Sequence, residues 1–350
     1  MLVVKEVVRI DASDVYLKVG SPPMFRVDGV TRAASDIRLT VQDMQALVDL
    51  VMDPSQKQEF QRVSEMNLAV PVPGVGRFRA NIYRQRGSIA MVMRRIKLDI
   101  PKLEVMGLPG KLLELALLKN GLVLVVGATG SGKSTTLAGM IGYRNRMKPG
   151  HIVTIEDPVE FLHRDEMSIV SQREVGTDTQ SFDSALRNAL RQAPDVILIG
   201  EMRDAVSVEA ALAFAETGHL VISTLHSTNA SQTIERLLQF FPSVQHGMMY
   251  QSLSNNLRAV VAQRLVPRSD GGRVAAVEIL MVTPLIRDYL RRQETSAFRA
   301  TMVAGKKDGM QTFDEHLFEL YTSGAITQQT AVAFADSASE VRLRLRGLSG

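Results

Sequence analysis

Leu122-Val123-Leu124-Val125-Val126-Gly127-Ala128-Thr129-Gly130-Ser131-Gly132-Lys133-Ser134 is the stretch that decides how the chain folds. The apolar run 122–126 reads as a strand buried on both faces, as in the middle of a parallel sheet. The next eight residues match G-x-x-x-x-G-K-[ST] at every fixed position. Residues 135–144 then read as a helix. Strand, glycine-rich turn and helix in that order form the context in which this motif binds phosphate; a turn matching by chance lacks it. Glycines let the backbone wrap an anion with its N–H groups turned inward, and the helix N-terminus adds partial positive charge. Lys133 is expected to neutralise β- and γ-phosphates and Ser134 to ligate Mg²⁺. The expected nucleotide-binding residues are therefore Gly127, Ala128, Thr129, Gly130, Ser131, Gly132, Lys133, Ser134 and Thr135.

Working outward, such a loop needs carboxylates that hold Mg²⁺ through water and orient the attacking water. Pro194-Asp195-Val196-Ile197-Leu198-Ile199-Gly200-Glu201 reads as an apolar strand delivering Glu201 at its C-terminal edge. Open α/β sheets place their ligand crevice at that edge. Thr154-Ile155-Glu156-Asp157-Pro158-Val159-Glu160 sets three more carboxylates just beyond another strand. Taken singly, each acid reads equally well as a helix cap or a loop acid; the phosphate loop upstream favours a functional reading. His219 and His226 flank the strand 220–225. Their spacing makes no metal pair, and the chain's 6 histidines form no ligand cluster. His226, at the strand's end, reads as a contact to the γ-phosphate or its waters.

The alternation continues on both sides. Apolar strands at 152–155, 168–170, 196–199 and 220–223 alternate with helices, which predicts an α/β domain with a mainly parallel sheet. A Leu-rich helix at 111–119 precedes them. Beyond 245 the chain turns helical, with a hairpin over 263–279 around Asp270-Gly271-Gly272, and 337–350 is expected to fray. Upstream, 1–98 reads as a small α+β unit. It has extended stretches at 15–19 and 24–27 around Ser21-Pro22-Pro23, and a helix at 40–52 capped by Thr40 with Asp43 at its third position. Strands follow at 68–72, 76–83 and 88–95, punctuated by Pro73-Gly74 and Arg86-Gly87. Two prolines and a glycine in 97–109 read as a linker. The expected organisation is domain 1–98, linker 99–110 and domain 111–350.

Composition narrows the class. The chain has 350 residues, 45% of them hydrophobic, enough for two cores. It has no cysteine, which removes disulfides and thiolate metal sites and fits a reducing compartment. The N-terminus has no signal-peptide pattern, and no apolar run approaches the roughly 20 residues that span a bilayer. A net charge of +4 is mild. The densest basic cluster is Arg77, Arg79, Arg84, Arg86, Arg94, Arg95 and Lys97, whose plain reading is a solvated strand face.

Four motifs occur in order: Gly127 to Ser134, Ile155 to Phe161, Gly200-Glu201-Met202-Arg203-Asp204, and Thr217-Gly218-His219-Leu220-Val221-Ile222-Ser223-Thr224-Leu225-His226-Ser227. Together they resemble the Walker A, Asp box, Walker B and His box of the secretion-superfamily ATPases. In detail the chain is similar to the PilT/PilU-type retraction motors of type IV pili. The resemblance implies a PAS-like α+β domain followed by a RecA-like P-loop domain, assembled as a homo-hexamer. It implies that Lys133 and Ser134 bind phosphate and Mg²⁺, that Glu201 is the Walker B acid, that Glu160 is the general base and that His226 is the sensor. It gives Arg79 and Arg94 contacts with the phosphates when the domains close. The implied function is ATP-driven pilus retraction and twitching motility. The implied place is the cytoplasm, at the inner face of the membrane through an inner-membrane platform protein and without direct insertion.

The branch is argued partly from absence. Extension and type II secretion motors of this family usually carry a four-cysteine zinc module, which a chain without cysteine cannot build. Retraction motors carry Ala-Ile-Arg-Asn-Leu-Ile-Arg-Glu where this chain has Pro284-Leu285-Ile286-Arg287-Asp288-Tyr289-Leu290-Arg291-Arg292. Together with Gly309-Met310-Gln311-Thr312-Phe313-Asp314, that departure favours the accessory, PilU-type branch. A second reading is an ATP-binding coupling subunit whose own hydrolysis is dispensable beside a sister PilT-type motor. A third is a nucleic-acid translocase, disfavoured because 5% aromatic residues and no tryptophan offer no stacking platform.

Overall fold

The computed structural model of the chain describes residues 6–7, 9–27, 29–72, 76–96 and 100–347. The Pro73-Gly74 turn, Lys97 of the basic cluster, the start of the expected linker and the last three residues lie outside them. The chain divides into two compact units, Met1–Asp99 with Glu160–Leu162, and Ile100–Val159 with His163–Gly350.

The first unit is built on an antiparallel sheet in the order β3-β2-β1-β6-β5-β4. Its strands are β1 (Asp14–Lys18), β2 (Met24–Val27), β3 (Val30–Ala33), β4 (Glu65–Val72), β5 (Gly76–Gln85) and β6 (Ser88–Ile96). One face carries the apolar core, where Met44, Val48 and Phe60 from two helices meet Phe78, Ile82 and Met91. The helix Val41–Val51 begins at the expected capping box, Thr40 with Asp43. A second helix, Pro54–Val63, was not legible from apolar spacing, because it buries only Phe60; its start is a capping box of Asp53 and Gln56 with Pro54 in the first turn. β3 is likewise unexpected: all four of its residues are exposed, so it shows no alternation.

The second unit carries a seven-stranded sheet in the order β13-β12-β7-β11-β10-β8-β9. Here β7 is Gly121–Val126, β8 Gly150–Glu156, β9 Ser168–Glu174, β10 Val196–Ile199, β11 Leu220–Leu225, β12 Leu257–Pro267 and β13 Arg273–Met281. All neighbours pair in parallel except the β12–β13 hairpin. Alternate side chains of β7 serve different cores. Leu122, Leu124 and Val126 join helices Ala205–Glu216, Ala230–Leu238, His246–Asn256 and Phe313–Thr322. Val123 and Val125 join Leu137, Met140 and Ile141 of the helix Lys133–Met147. Burial on both faces explains why this strand reads as an unbroken apolar run. Residues expected to act as linker are packed here: Leu103 is buried in the second core, with Met106 and Leu108 against it. Gly139 makes room for them, since a Cβ there would stand 2.9 Å from Met106 Sδ.

Candidate functional site

The loop after β7 closes on itself. Lys133 Nζ donates to the carbonyl oxygens of Gly127 (2.8 Å) and Ala128 (3.0 Å). Gly132, at φ +90°, precedes the helix Lys133–Met147 and caps it with no side chain, so the first-turn N–H groups face the loop. At Gly127, φ +154°, a Cβ would meet Gln263 O and Ser131 Oγ, both at 2.4 Å. The Gln263 carbonyl and the Ser131 side chain thus fill the space that a side chain at 127 would take. A cleft of about 370 Å³ runs along Gly127–Ser131, with Thr228, Gln263, Arg264, Leu265 and Phe334 on its other walls.

Gln263, on β12, escaped the sequence reading. It is 3% exposed. Its Nε2 donates to Ser131 O at 2.8 Å, and its Oε1 accepts from Thr136 Oγ1 at 2.8 Å. No local signal marks it, because its partners lie more than a hundred residues upstream. Arg264, the next residue, stacks over the Phe313 ring at 3.7 Å. Its guanidinium binds Phe334 O (3.0 Å) and Asp336 (2.6 Å).

Glu201 stands just past β10, two strands from β7, which is about 10 Å of sheet. Gly200 lets this turn run close to its neighbour: its N–H donates to Ile155 O at 2.8 Å, and a Cβ would stand 3.2 Å from that oxygen. Glu201 Oε1 lies 2.8 Å from His226 Nε2, at the end of β11. Oε2 accepts from Arg203 Nε at 2.6 Å, and Arg203 Nη1 reaches Asp157 Oδ2 at 3.2 Å. The sequence-predicted Glu201 and His226 are therefore in contact, joined through Arg203 to Asp157. The Glu201 carboxylate holds the Arg203 guanidinium above its usual pKa, with Asp157 adding to the shift. Two hydroxyls fix the strand ends: Ser223 Oγ donates to Ile199 O (2.7 Å) and Thr224 Oγ1 to Gly200 O (2.6 Å). Glu156 Oε1 accepts from Thr154 Oγ1 and Gln172 Nε2. His219 sits at the opposite end of β11, its Nδ1 against Thr217 and Phe214 O.

Arg79 and Arg94 belong to the first unit. They are cross-strand partners on β5 and β6, and the row continues through Asp14 on β1 to Arg26 on β2. Directly paired residues share a face, so three arginines and one aspartate form one stripe. Arg94 Nε binds Asp14 at 2.8 Å, and that carboxylate, its side chain 4% exposed, raises the Arg94 pKa. Glu160 partitions with this unit.

Among the described residues, no cluster of three or more His, Asp or Glu side chains could hold a metal ion alone. The loop and the Glu201 carboxylate do fit Mg²⁺ held jointly with a nucleotide, since that ion uses one or two protein oxygens together with substrate phosphates. No helix among the described residues is long and apolar enough to cross a membrane.

The type II/IV secretion system protein family model matches residues 1–278. The chain is 48% identical to the type IV pilus ATPase PilU of Pseudomonas aeruginosa, over 95% of this chain and 88% of that one. It is 43% identical to the type IV pilus retraction ATPase PilT of the same organism, over 91% and 93%. A crystal structure of the pilus retraction motor PilT with bound ADP superposes with a TM-score of 0.90 at 44% identity, covering 97% of each chain. The Legionella pneumophila ATPase DotB superposes at 0.82 with 27% identity, over 99% and 95%.

Proposed function

The chain belongs to the type II/IV secretion system protein family, and from that premise we propose that it is an ATP-hydrolysing motor for type IV pilus retraction and twitching motility. It is a P-loop ATPase that binds nucleotide, with a β-rich, PAS-like N-terminal unit and a RecA-like second unit. One observation carries this reading. The loop 127–134 stands over the same strand edge as the Glu201–His226 pair, so a triphosphate gripped by the first extends its terminal phosphate toward the second.

Each residue has a task. N–H groups of the loop and of the helix after it take the phosphate oxygens, and a bound phosphate draws Lys133 Nζ away from the Gly127 and Ala128 carbonyls. Ser134 and, through water, Glu201 would hold Mg²⁺, which would supply charge neutralisation at the phosphates. His226 reads the γ-phosphate through its contact with Glu201. Glu160 acts as the general base that takes a proton from the attacking water, and Arg79 and Arg94 stabilise charge on the transferring group. The ring is a homo-hexamer. It works at the cytoplasmic face of the inner membrane through a platform protein, beside a sister PilT-type motor. The higher identity to the PilU relative supports the accessory branch.

The test is Mg²⁺-dependent ATP turnover together with oligomer size by light scattering. Lys133→Ala and Glu201→Ala should each lower turnover at least about a hundredfold, and wild type with ATP should run as a sixfold species. Unchanged turnover in both variants removes the ATPase assignment, and a strict monomer under all conditions removes the ring.

A further inference from the structure

We propose that Gln263 is a positioning residue for nucleotide binding: by holding the Ser131 carbonyl it aims the Gly132 N–H into the phosphate loop. This rests on the nucleotide reading of the loop. The Ser131–Gly132 peptide is trans and planar, so its C=O and N–H point in opposite directions. Gln263 Nε2 fixes the carbonyl on the outer side of the loop at 2.8 Å. The N–H of the same peptide is thereby turned toward the hollow, where a phosphate oxygen accepts it. It makes no hydrogen bond of its own among the described residues.

The amide of Gln263 is itself held. Its Oε1 accepts from Thr136 Oγ1, in the first turn of the helix Lys133–Met147, at 2.8 Å. With the oxygen so occupied, the NH₂ group must face Ser131, and the side chain cannot flip without breaking both bonds. The amide is buried, so neither bond exchanges with water and each lost partner leaves a desolvated group. Gly132 completes the fit: a Cβ there would stand 2.7 Å from Gln263 Nε2, so only glycine lets the amide approach. Gly127 does the same for the backbone, where a Cβ would lie 2.4 Å from Gln263 O. One strand residue therefore touches the beginning of the loop, its end and the helix that follows. Without it, the Ser131 carbonyl loses the amide that holds it outward, and keeping that peptide turned becomes a cost of binding phosphate.

The experiment compares full-length wild type with Gln263→Leu, Gln263→Glu and Thr136→Val. It measures ATP affinity by calorimetry, melting temperature without nucleotide, and the ¹⁵N–¹H shift of Gly132 on adding ATP. Gln263→Leu should weaken ATP binding by about ten- to a hundredfold and shrink the Gly132 shift. Gln263→Glu should do no better, because it sets a carboxylate oxygen against Ser131 O. Thr136→Val, which keeps the volume and removes one bond, should weaken ATP binding about threefold. A purely structural glutamine would lower the melting temperature and leave affinity per folded molecule unchanged. That result in Gln263→Leu overturns the proposal. If Gln263→Leu does not fold, Thr136→Val with wild-type affinity and a wild-type Gly132 shift overturns it instead. Lys133→Ala separates the two levels: wild-type affinity in that variant sinks the nucleotide reading itself, whereas lost binding there with full binding in Gln263→Leu sinks only the role of Gln263.

Discussion

Replacing Glu278 with glutamine should change how the second unit's stability responds to pH. Glu278 lies on β13, is 3% exposed, and accepts from Ala230 N at 2.9 Å, at the start of the helix that follows His226. Burial pushes its pKa up from 4.5 to about 7, partly offset by the Ala230 bond; Asp336 adds to the rise, and Arg264 and Arg299 oppose it. A carboxyl whose folded pKa exceeds its unfolded value binds more protons when folded. Stability therefore falls as pH rises from about 4.5 to about 7. The gap of about 2.5 pH units, at about 1.4 kcal/mol each, amounts to about 3 kcal/mol. Glu278→Gln keeps an acceptor for Ala230 and removes the titration. For a unit of this size each kcal/mol is worth roughly 2–4 °C, so the variant should melt about 6–12 °C higher than wild type above pH 8. His163 and His316 slope the other way, since burial lowers both to about 4 and their contribution is lost as pH falls below 6.5. His316 Nδ1 must stay unprotonated to accept from Val277 N at 2.8 Å. Both histidines are present in both proteins, so they cancel in the difference. The assay is thermal unfolding of the pair from about pH 5 to about pH 9, which brackets the titration. Curves that stay parallel across that range refute the reasoning.

Arg203→Ala should lower ATP turnover by less than Glu201→Ala does, because it frees Glu201 Oε2 and leaves the His226 contact; equal losses in steady-state rates would show that the arginine itself acts on substrate. Gly127→Ala should abolish nucleotide binding and cost about 1–3 kcal/mol of stability, since alanine is strained at φ +154° and its Cβ collides with Gln263 O; calorimetry and a melt check both. Arg94→Ala should destabilise the first unit by about 1–3 kcal/mol, because Asp14 stays buried and among the described residues keeps Ser13 Oγ at 2.7 Å and Arg26 at 4.0 Å; denaturant unfolding of the full chain, followed by a probe in that unit, reads it. In cells that keep a sister motor, Lys133→Ala should still support twitching if the chain serves as a coupling subunit, and should abolish it if its own hydrolysis is needed.

How much could be read from the sequence follows the distance over which each interaction acts. The loop 127–134 is a contiguous pattern whose meaning is local, and its flanking strand and helix are too. Glu201 was legible because an apolar strand ends at it. Its bond to His226 joins neighbouring strands 25 residues apart, and the relay through Arg203 to Asp157 had no pattern to announce it. Gln263 sits in an apolar run where a lone amide reads as noise, and it meets Ser131 and Thr136 only after β12 pairs with β7. Within the cluster of seven basic residues, only the family resemblance singles out Arg79 and Arg94. The β5–β6 register puts these two on one row, and the buried Asp14 beside them is 80 residues from Arg94. The helix Pro54–Val63 carries clear end signals and a weak apolar face, so a reading led by periodicity passes over it.

Gln263 and Arg264 leave β12 on opposite faces, one fastened to the loop and its helix, the other to Phe313, Phe334 and Asp336 near the chain's end. A slip of the strand by one position would turn the cation toward the glycines and the amide toward the aromatic ring. Each would then lose the partners it has here. Two neighbouring side chains thus fasten the strand from both sides, and both sets of bonds favour the alignment it has beside β7.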